Sequence, residues 1–171
     1  QHLQTNGQPL PINVENNDMD YLPSANLIYG LRDDMNLRLS YAQTVNRPEF
    51  REMAPFQFTD VATGEQTIGN TELKRAVITS YDFRWEWFTG PEELLALSLF
   101  YKDIEAPIER VAEKTGGGIR NTFQNSLQAE NYGFEVEARK NLGFIHPLFA
   151  PFSILANYTY VDSQVTIDPN P

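Results

Sequence analysis

The sequence predicts an all-β fold, an antiparallel up-and-down meander of about six long strands of the kind that builds transmembrane barrels. Three observations predict it. Hydrophobicity alternates with a period of two residues along six segments, which is the period of a strand and not of a helix. The connections between those segments are alternately short and long. Aromatic residues collect towards the segment ends, as they do at membrane interfaces.

The first strand, near residues 20–31, sets Tyr21, Pro23, Ala25, Leu27, Tyr29 and Leu31 opposite Ser24, Asn26 and Gly30. The second, 35–43, sets Met35, Leu37, Leu39 and Tyr41 opposite Asn36, Arg38 and Ser40. In the third, 77–89, Val77, Thr79, Tyr81, Phe83, Trp85 and Trp87 oppose Ser80, Asp82, Arg84 and Glu86. In the fourth, 93–103, Leu95, Leu97, Leu99 and Tyr101 oppose Ala96, Ser98, Phe100 and Lys102. The fifth, 131–142, places Tyr132, Phe134, Val136 and Ala138 opposite Gly133, Glu135, Glu137 and Arg139. The sixth, 151–163, places Phe152, Ile154, Ala156, Tyr158 and Tyr160 opposite Ser153, Asn157 and Thr159. Each segment is close to the 9–11 residues that a tilted strand needs to span a bilayer.

Parity assigns the faces. Leu37, Leu39, Phe83, Trp85, Leu95, Leu97, Leu99, Phe134, Val136, Ile154 and Tyr158 are expected to meet lipid. Arg38, Asp82, Arg84, Glu86, Lys102, Glu135, Glu137 and Arg139 are expected to face a hydrated lumen. Tyr21, Tyr29, Tyr41, Trp85, Trp87, Tyr101, Tyr132, Tyr158 and Tyr160 are the expected interfacial aromatics. A soluble all-β sandwich would alternate in the same way and bury those aromatics in a core. The connections favour the barrel. Arg32-Asp33-Asp34, Gly90-Pro91-Glu92 and Gly143–Pro151 form short turns, whereas 44–76 and 104–130 are long loops. Loops beyond roughly 15 residues are uncommon in compact domains. Short turns on the periplasmic side and long loops outside are the habit of outer-membrane barrels.

Composition excludes several functions. There are 171 residues, no cysteine and only two histidines, so disulfide frameworks, thiolate metal sites and multi-histidine centres are excluded. A net charge of −10, from 23 acids and 13 bases, argues against nucleic-acid partners. The mean hydropathy of −0.43 excludes membrane helices but not barrel strands, half of whose side chains stay in water. Residues 1–19 read as a loop or partly ordered segment, 20–165 as the barrel segment and 166–171 as a polar tail.

The stretch from Leu22 to Phe56 resembles the barrel of TonB-dependent outer-membrane receptors. There a strand beginning LPS precedes a short turn and an R-x-S/A-x-S/A-x-T-x-x-R-P-x-F-x-E-L-x-P run. Arg38, Ser40, Ala42, Thr44, Arg47, Pro48, Phe50, Glu52 and Pro55 match it, with Met53 in place of leucine. Gly69–Ala76 resembles the family's GNPDLKPE, with Thr71 for a proline and Arg75-Ala76 for Pro-Glu. Ser80–Phe88, Leu99–Glu109 and Asn131–Gly143 also resemble its strands.

The resemblance implies part of a 22-stranded transmembrane β-barrel, in the bacterial outer membrane, that imports a siderophore, glycan or similar large nutrient. It implies as partners the rest of the barrel and a plug domain, TonB through an N-terminal part, outer-membrane lipid and the imported ligand. At about ten residues per strand, 22 strands need roughly 220 residues before any loop. The chain is therefore expected to be a segment of the C-terminal half of the barrel. Isolated, such a segment would self-associate through its edges and apolar face. The alternative function is a soluble all-β carbohydrate-binding or adhesion module.

No enzyme, cofactor or metal is expected. Paired carboxylates such as Glu135 and Glu137 could suggest glycoside hydrolysis, but an acid–base–acid ladder keeps its groups ionised and supplies no raised-pKa acid. Gly116–Gly118 lacks the Lys-Ser/Thr of a phosphate loop and reads as a loop tip. His146, beside Pro147, reads as a structural turn residue. Candidate ligand contacts are the loop residues Arg47, Phe50, Arg51, Phe56, Phe58 and Arg75, since guanidinium groups suit anions and aromatic rings suit sugar faces.

Overall fold

The structure, a computed structural model, describes residues 19–59, 61–62, 64–116 and 118–167. The expected N-terminal loop up to residue 18 and the tail from 168 lie outside the described residues. Six long strands form one antiparallel sheet: β1 (Ser24–Arg32), β2 (Met35–Asn46), β5 (Ala76–Gly90), β6 (Glu93–Glu105), β9 (Gln128–Asn141) and β10 (Ser153–Thr166). They lie side by side in the order β1-β2-β5-β6-β9-β10, an open up-and-down meander with β1 and β10 at its edges.

The strands differ from the alternation at their ends. The first begins at Ser24 and not near 20, while β2 runs on to Asn46, β6 to Glu105 and β10 to Thr166. Backbone pairing continues where side-chain alternation has ceased, as in Asn46↔Ala76, Glu105↔Gln128 and Thr166↔Gln128. Nor are 44–76 and 104–130 loops throughout. The first holds a single helical turn α1 (Phe50–Met53) and two short strands, β3 (Gln57–Thr59) and β4 (Gln66–Ile68). The second holds the hairpin β7 (Ile108–Thr115) and β8 (Gly118–Asn125). These four strands make a second sheet in the order β3-β4-β8-β7, joined across the two loops by a parallel Thr67↔Asn121 bridge.

Register aligns the apolar residues in rows across the large sheet. One row is Tyr29–Leu37–Trp85–Leu97–Val136–Tyr158 and the next Leu27–Leu39–Phe83–Leu99–Phe134–Tyr160. No second layer covers them among the described residues. Leu27, Leu39 and Leu99 stay 60%, 50% and 46% exposed, and no large side chain among the described residues is fully buried. A sandwich would have covered this face.

A row of tyrosines bounds the apolar band. Tyr41, Tyr81, Tyr101 and Tyr132 are successive cross-strand partners, with ring centroids 5.3 Å apart for Tyr41–Tyr81 and 6.4 Å for Tyr81–Tyr101. On the same face the next row is Gln43–Thr79–Asp103–Glu130–Gln164, wholly polar. Tyr101 donates from its hydroxyl to Glu130 at 2.6 Å, bridging the two rows. Toward the opposite end Trp85 and Trp87 lie 6.3 Å apart, and the Trp87 indole donates to Asp34 of the first turn at 3.0 Å. An aromatic body with a polar handle suits such a boundary.

The other face carries the charges, interspersed with Ile28, Leu94, Leu155 and Val161, and it also holds Phe100, whose presence there has a reason. Phe100 is the cross-strand partner of Gly133, and its ring would lie 2.7 Å from a Cβ at that position. The Tyr160 carbonyl would lie 2.0 Å from the same Cβ. The aromatic ring fills the space a side chain would otherwise take, a known remedy for glycine in a strand. Gly133→Ala should destabilise the full-length protein by about 2 kcal/mol or more, read from its unfolding transition in urea. The face assignment predicts that Leu97→Arg costs about 2–4 kcal/mol in a bilayer, against a much smaller change for Thr159→Arg opposite Glu135. Equal costs in the same unfolding assay would refute it.

Candidate functional site

Charges on the polar face form a continuous ladder. Arg38 Nε donates to Glu86 Oε2 at 2.8 Å, and Arg84 Nε to Glu86 Oε1 at 3.0 Å. Arg84 also reaches Ser98 Oγ at 2.9 Å and Glu137 Oε2 at 2.8 Å, and Arg139 stands 3.8 Å from Glu137 Oε1. The chain Arg38–Glu86–Arg84–Glu137–Arg139 thus crosses from β2 to β9 with signs alternating. Each carboxylate is held between two guanidinium groups. Asp82, Lys102 and Glu135 share this face and join no ion pair among the described residues.

The six loop candidates separate into two places. Arg47 and Arg75 both pair with Asp20, whose carboxylate is only 5% exposed. Asp20 lies just before β1, so this carboxylate ties the N-terminal approach to the ends of β2 and β5. Of the two departures from the family's Pro-Glu, Arg75 supplies one half of that tie and Ala76 is 2% exposed. Phe50 and Phe56 point outward, 92% and 60% exposed. Phe58 and Arg51 come together: the Arg51 guanidinium lies 5.5 Å from the Phe58 ring centroid, and Phe56 meets that ring edge-on at 4.8 Å.

The motif residues build the support for this arrangement. Pro48 is buried, and Glu49 caps α1 with Glu52 returning to its backbone N–H at 2.8 Å. Gly69 then packs on the same turn, its N–H donating to Ala54 O at 3.1 Å; a Cβ there would lie 2.4 Å from that oxygen. Only glycine allows this approach. Asn70 donates to Phe123 O at 3.0 Å and accepts from the Glu72 N–H at 2.9 Å. Asn125 accepts from the Lys74 N–H at 2.8 Å and donates to Lys74 O at 2.9 Å and Ala106 O at 2.7 Å. Two asparagines therefore stitch one loop to the other.

The stitched loops enclose a cleft of about 500 Å³ between Arg51, Phe58, Glu65, Thr67, Arg110 and Phe123. Arg110 pairs with Glu65 at 2.7 Å, and Asn121 reaches the same carboxylate at 3.4 Å. A neighbouring cleft of about 510 Å³ runs past Asn70 and Glu72 to Arg120, which pairs with Glu113 at 3.2 Å. Arg110, Arg120, Phe123, Glu65 and Asp20 were not among the sequence candidates. The alternation of Glu109–Thr115 and Gly118–Asn125 around a glycine tip is a hairpin signal that places Arg110 and Arg120. Nothing local indicates that this hairpin pairs with the first loop.

The six-strand meander, its uncovered apolar face and the two-loop cap agree with a comparison of sequences. The family model described as TonB dependent receptor-like, beta-barrel, matches residues 2–171. The chain belongs to this family. Its setting is the bacterial outer membrane, and the soluble module considered as the alternative is set aside. The fold is similar to that of the siderophore receptor PirA from Pseudomonas aeruginosa, with a TM-score of 0.70 at 19% identity over 85% of this chain and 28% of that one. The ferric enterobactin receptor PfeA of the same organism, in complex with enterobactin, gives a TM-score of 0.63 at 19% identity, over 83% of this chain and 22% of that one. The copper transporter OprC gives a TM-score of 0.60 at 15% identity, over 83% of this chain and 20% of that one. The chain thus spans between 20% and 28% of these receptors' lengths. No curated protein matches it in sequence.

Removing the Asp20 carboxylate leaves two guanidinium groups without their shared partner. Asp20→Ala should cost about 1–3 kcal/mol and open the first loop to protease in the full-length receptor. Unchanged cleavage between residues 47 and 75 would show that the tie has no structural role.

Proposed function

We propose that this barrel segment belongs to a TonB-dependent receptor for energised uptake of a siderophore, glycan or similar large nutrient. The rest of the barrel, a plug domain and TonB are its partners. The cleft between the long loops is, in this reading, where ligand is first met on the extracellular side. One observation carries it. Arg51, held over Phe58, joins no ion pair among the described residues and faces a cleft whose far wall, Arg110 and Phe123, comes from the other loop.

A cation preset on an aromatic ring beside a second aromatic suits an anionic, ring-bearing ligand such as a ferric siderophore. Arg110 is neutralised by Glu65 and supplies directional hydrogen bonds more than net charge. Arg47 and Arg75, engaged by Asp20, act here as scaffold. The charge ladder faces the lumen, where it would meet the plug.

Arg51→Ala should weaken binding of a ferric siderophore to the full-length receptor by about ten-fold, while Arg47→Ala should act mainly on stability. Titration with a panel of ferric siderophores, with an uncharged glycan as the comparison, checks this. Equal affinity in wild type and Arg51→Ala for every ligand would refute the cleft as the contact site.

A further inference from the structure

The three short turns at one end of the sheet differ in character. Asp33-Asp34 and Pro91-Glu92 are acidic, whereas the turn between β9 and β10 carries Phe144, Ile145, Leu148 and Phe152 at 69%, 60%, 73% and 60% exposure. A water-facing turn gains nothing from four large apolar side chains, and such a patch marks a contact surface.

The turn is also built as an apolar surrounding requires. Leu142 donates its N–H to Phe152 O at 2.8 Å, Ile145 to Leu142 O at 3.0 Å and Gly143 to Asn141 Oδ1 at 2.7 Å. Leu148 donates to His146 Nδ1 at 3.2 Å, Phe149 to His146 O at 2.9 Å and Ala150 to Pro147 O at 3.1 Å. Pro147 and Pro151 have no N–H to satisfy. Two successive 3₁₀ turns, Leu142–Phe144 and Pro147–Phe149, thereby satisfy most of the turn's N–H groups internally.

We propose that the Leu142–Phe152 turn is a foot inserted into the phospholipid leaflet on the short-turn side. Its occupant is lipid because the patch continues the sheet's apolar face. Phe152 prolongs the Ile154–Ala156–Tyr158 series of β10, and Leu142 the Phe134–Val136–Ala138 series of β9, two residues at a time. Lys140 interrupts the second series, its ammonium directed toward the turn. Its ammonium lies 5.8 Å from the Phe144 ring centroid and 2.6 Å from Glu93, the arrangement of a snorkelling lysine at an interface. Aromatic and aliphatic side chains beyond a lysine collar match the boundary between headgroups and acyl chains.

The test places a spin label at Leu148→Cys in the full-length receptor, reconstituted in vesicles of phosphatidylethanolamine and phosphatidylglycerol. The chain itself supplies no competing cysteine. Leu148 is exposed, so the label should not disturb folding, and Ile145→Cys gives an independent second site. The expected result is that both labels collide more with dissolved oxygen than with a water-soluble nickel chelate, while Asp33→Cys in the first turn does the reverse. Greater access to the chelate at 145 and 148 would overturn the proposal. So would low access to both reagents, which would show the patch covered by protein.

Discussion

Interstrand register is the constraint on which the other features rest. In a strand the side-chain period is two, so a slip of one residue between β2 and β5 would carry Leu37, Leu39 and Tyr41 to the face that holds Arg84 and Glu86. The pairing is unbroken from Met35↔Trp87 to Asn46↔Ala76, and continuous again between β6 and β9 and between β9 and β10. The tyrosine row, the apolar rows and the five-residue ladder of alternating charge all follow from that one alignment. The ladder is matched to this register by diagonal pairs: Arg38 stands directly opposite Arg84, and Glu86 lies between them and neutralises both.

The cap over one end of the sheet obeys a different logic. Its parts are short, and among its described residues the buried hydrophobic side chains are Ala54 and Leu73. Backbone contact at Gly69 and the amide bridges of Asn70 and Asn125 hold it together. The family signature is recognisable in sequence for the same reason. Pro48, Glu52, Gly69 and Asn70 each do something that few other residues could do at that point, whereas many apolar residues could serve in the rows below. The proposed ligand contacts, Arg51 and Phe58, fall among the less constrained positions beside them.

The six long strands were legible because each carries its own periodic signal over about ten residues, and a single sequence suffices to read it. The strand ends were less so: β2 runs on past Tyr41 through Gln43 and Thr44, and Gln128 joins β6 through its backbone pairing with Glu105 and a side-chain bond to Asp103. The four short strands gave little warning: β3 and β4 have three residues each, and β4 finds β8 through a partner more than fifty positions away. Arg47 and Arg75 were visible as cations, but Asp20 sits in a polar run, so the partner that fixes their role was hidden. Arg51 and Phe58 were visible as types, and only the fold shows that they share a cleft with Arg110.

The Thr67↔Asn121 bridge has a further consequence, for the order of assembly. Between its two ends runs the whole β5–β6 hairpin, and until that hairpin closes the bridge must bear the entropy of a long, floppy excursion. Once β5 and β6 have zipped, the two loops emerge side by side and the remaining closure is short. On loop-closure grounds the cleft takes its shape after the strands that carry it. A defect deep in the sheet can therefore appear first as a receptor that inserts yet fails to bind.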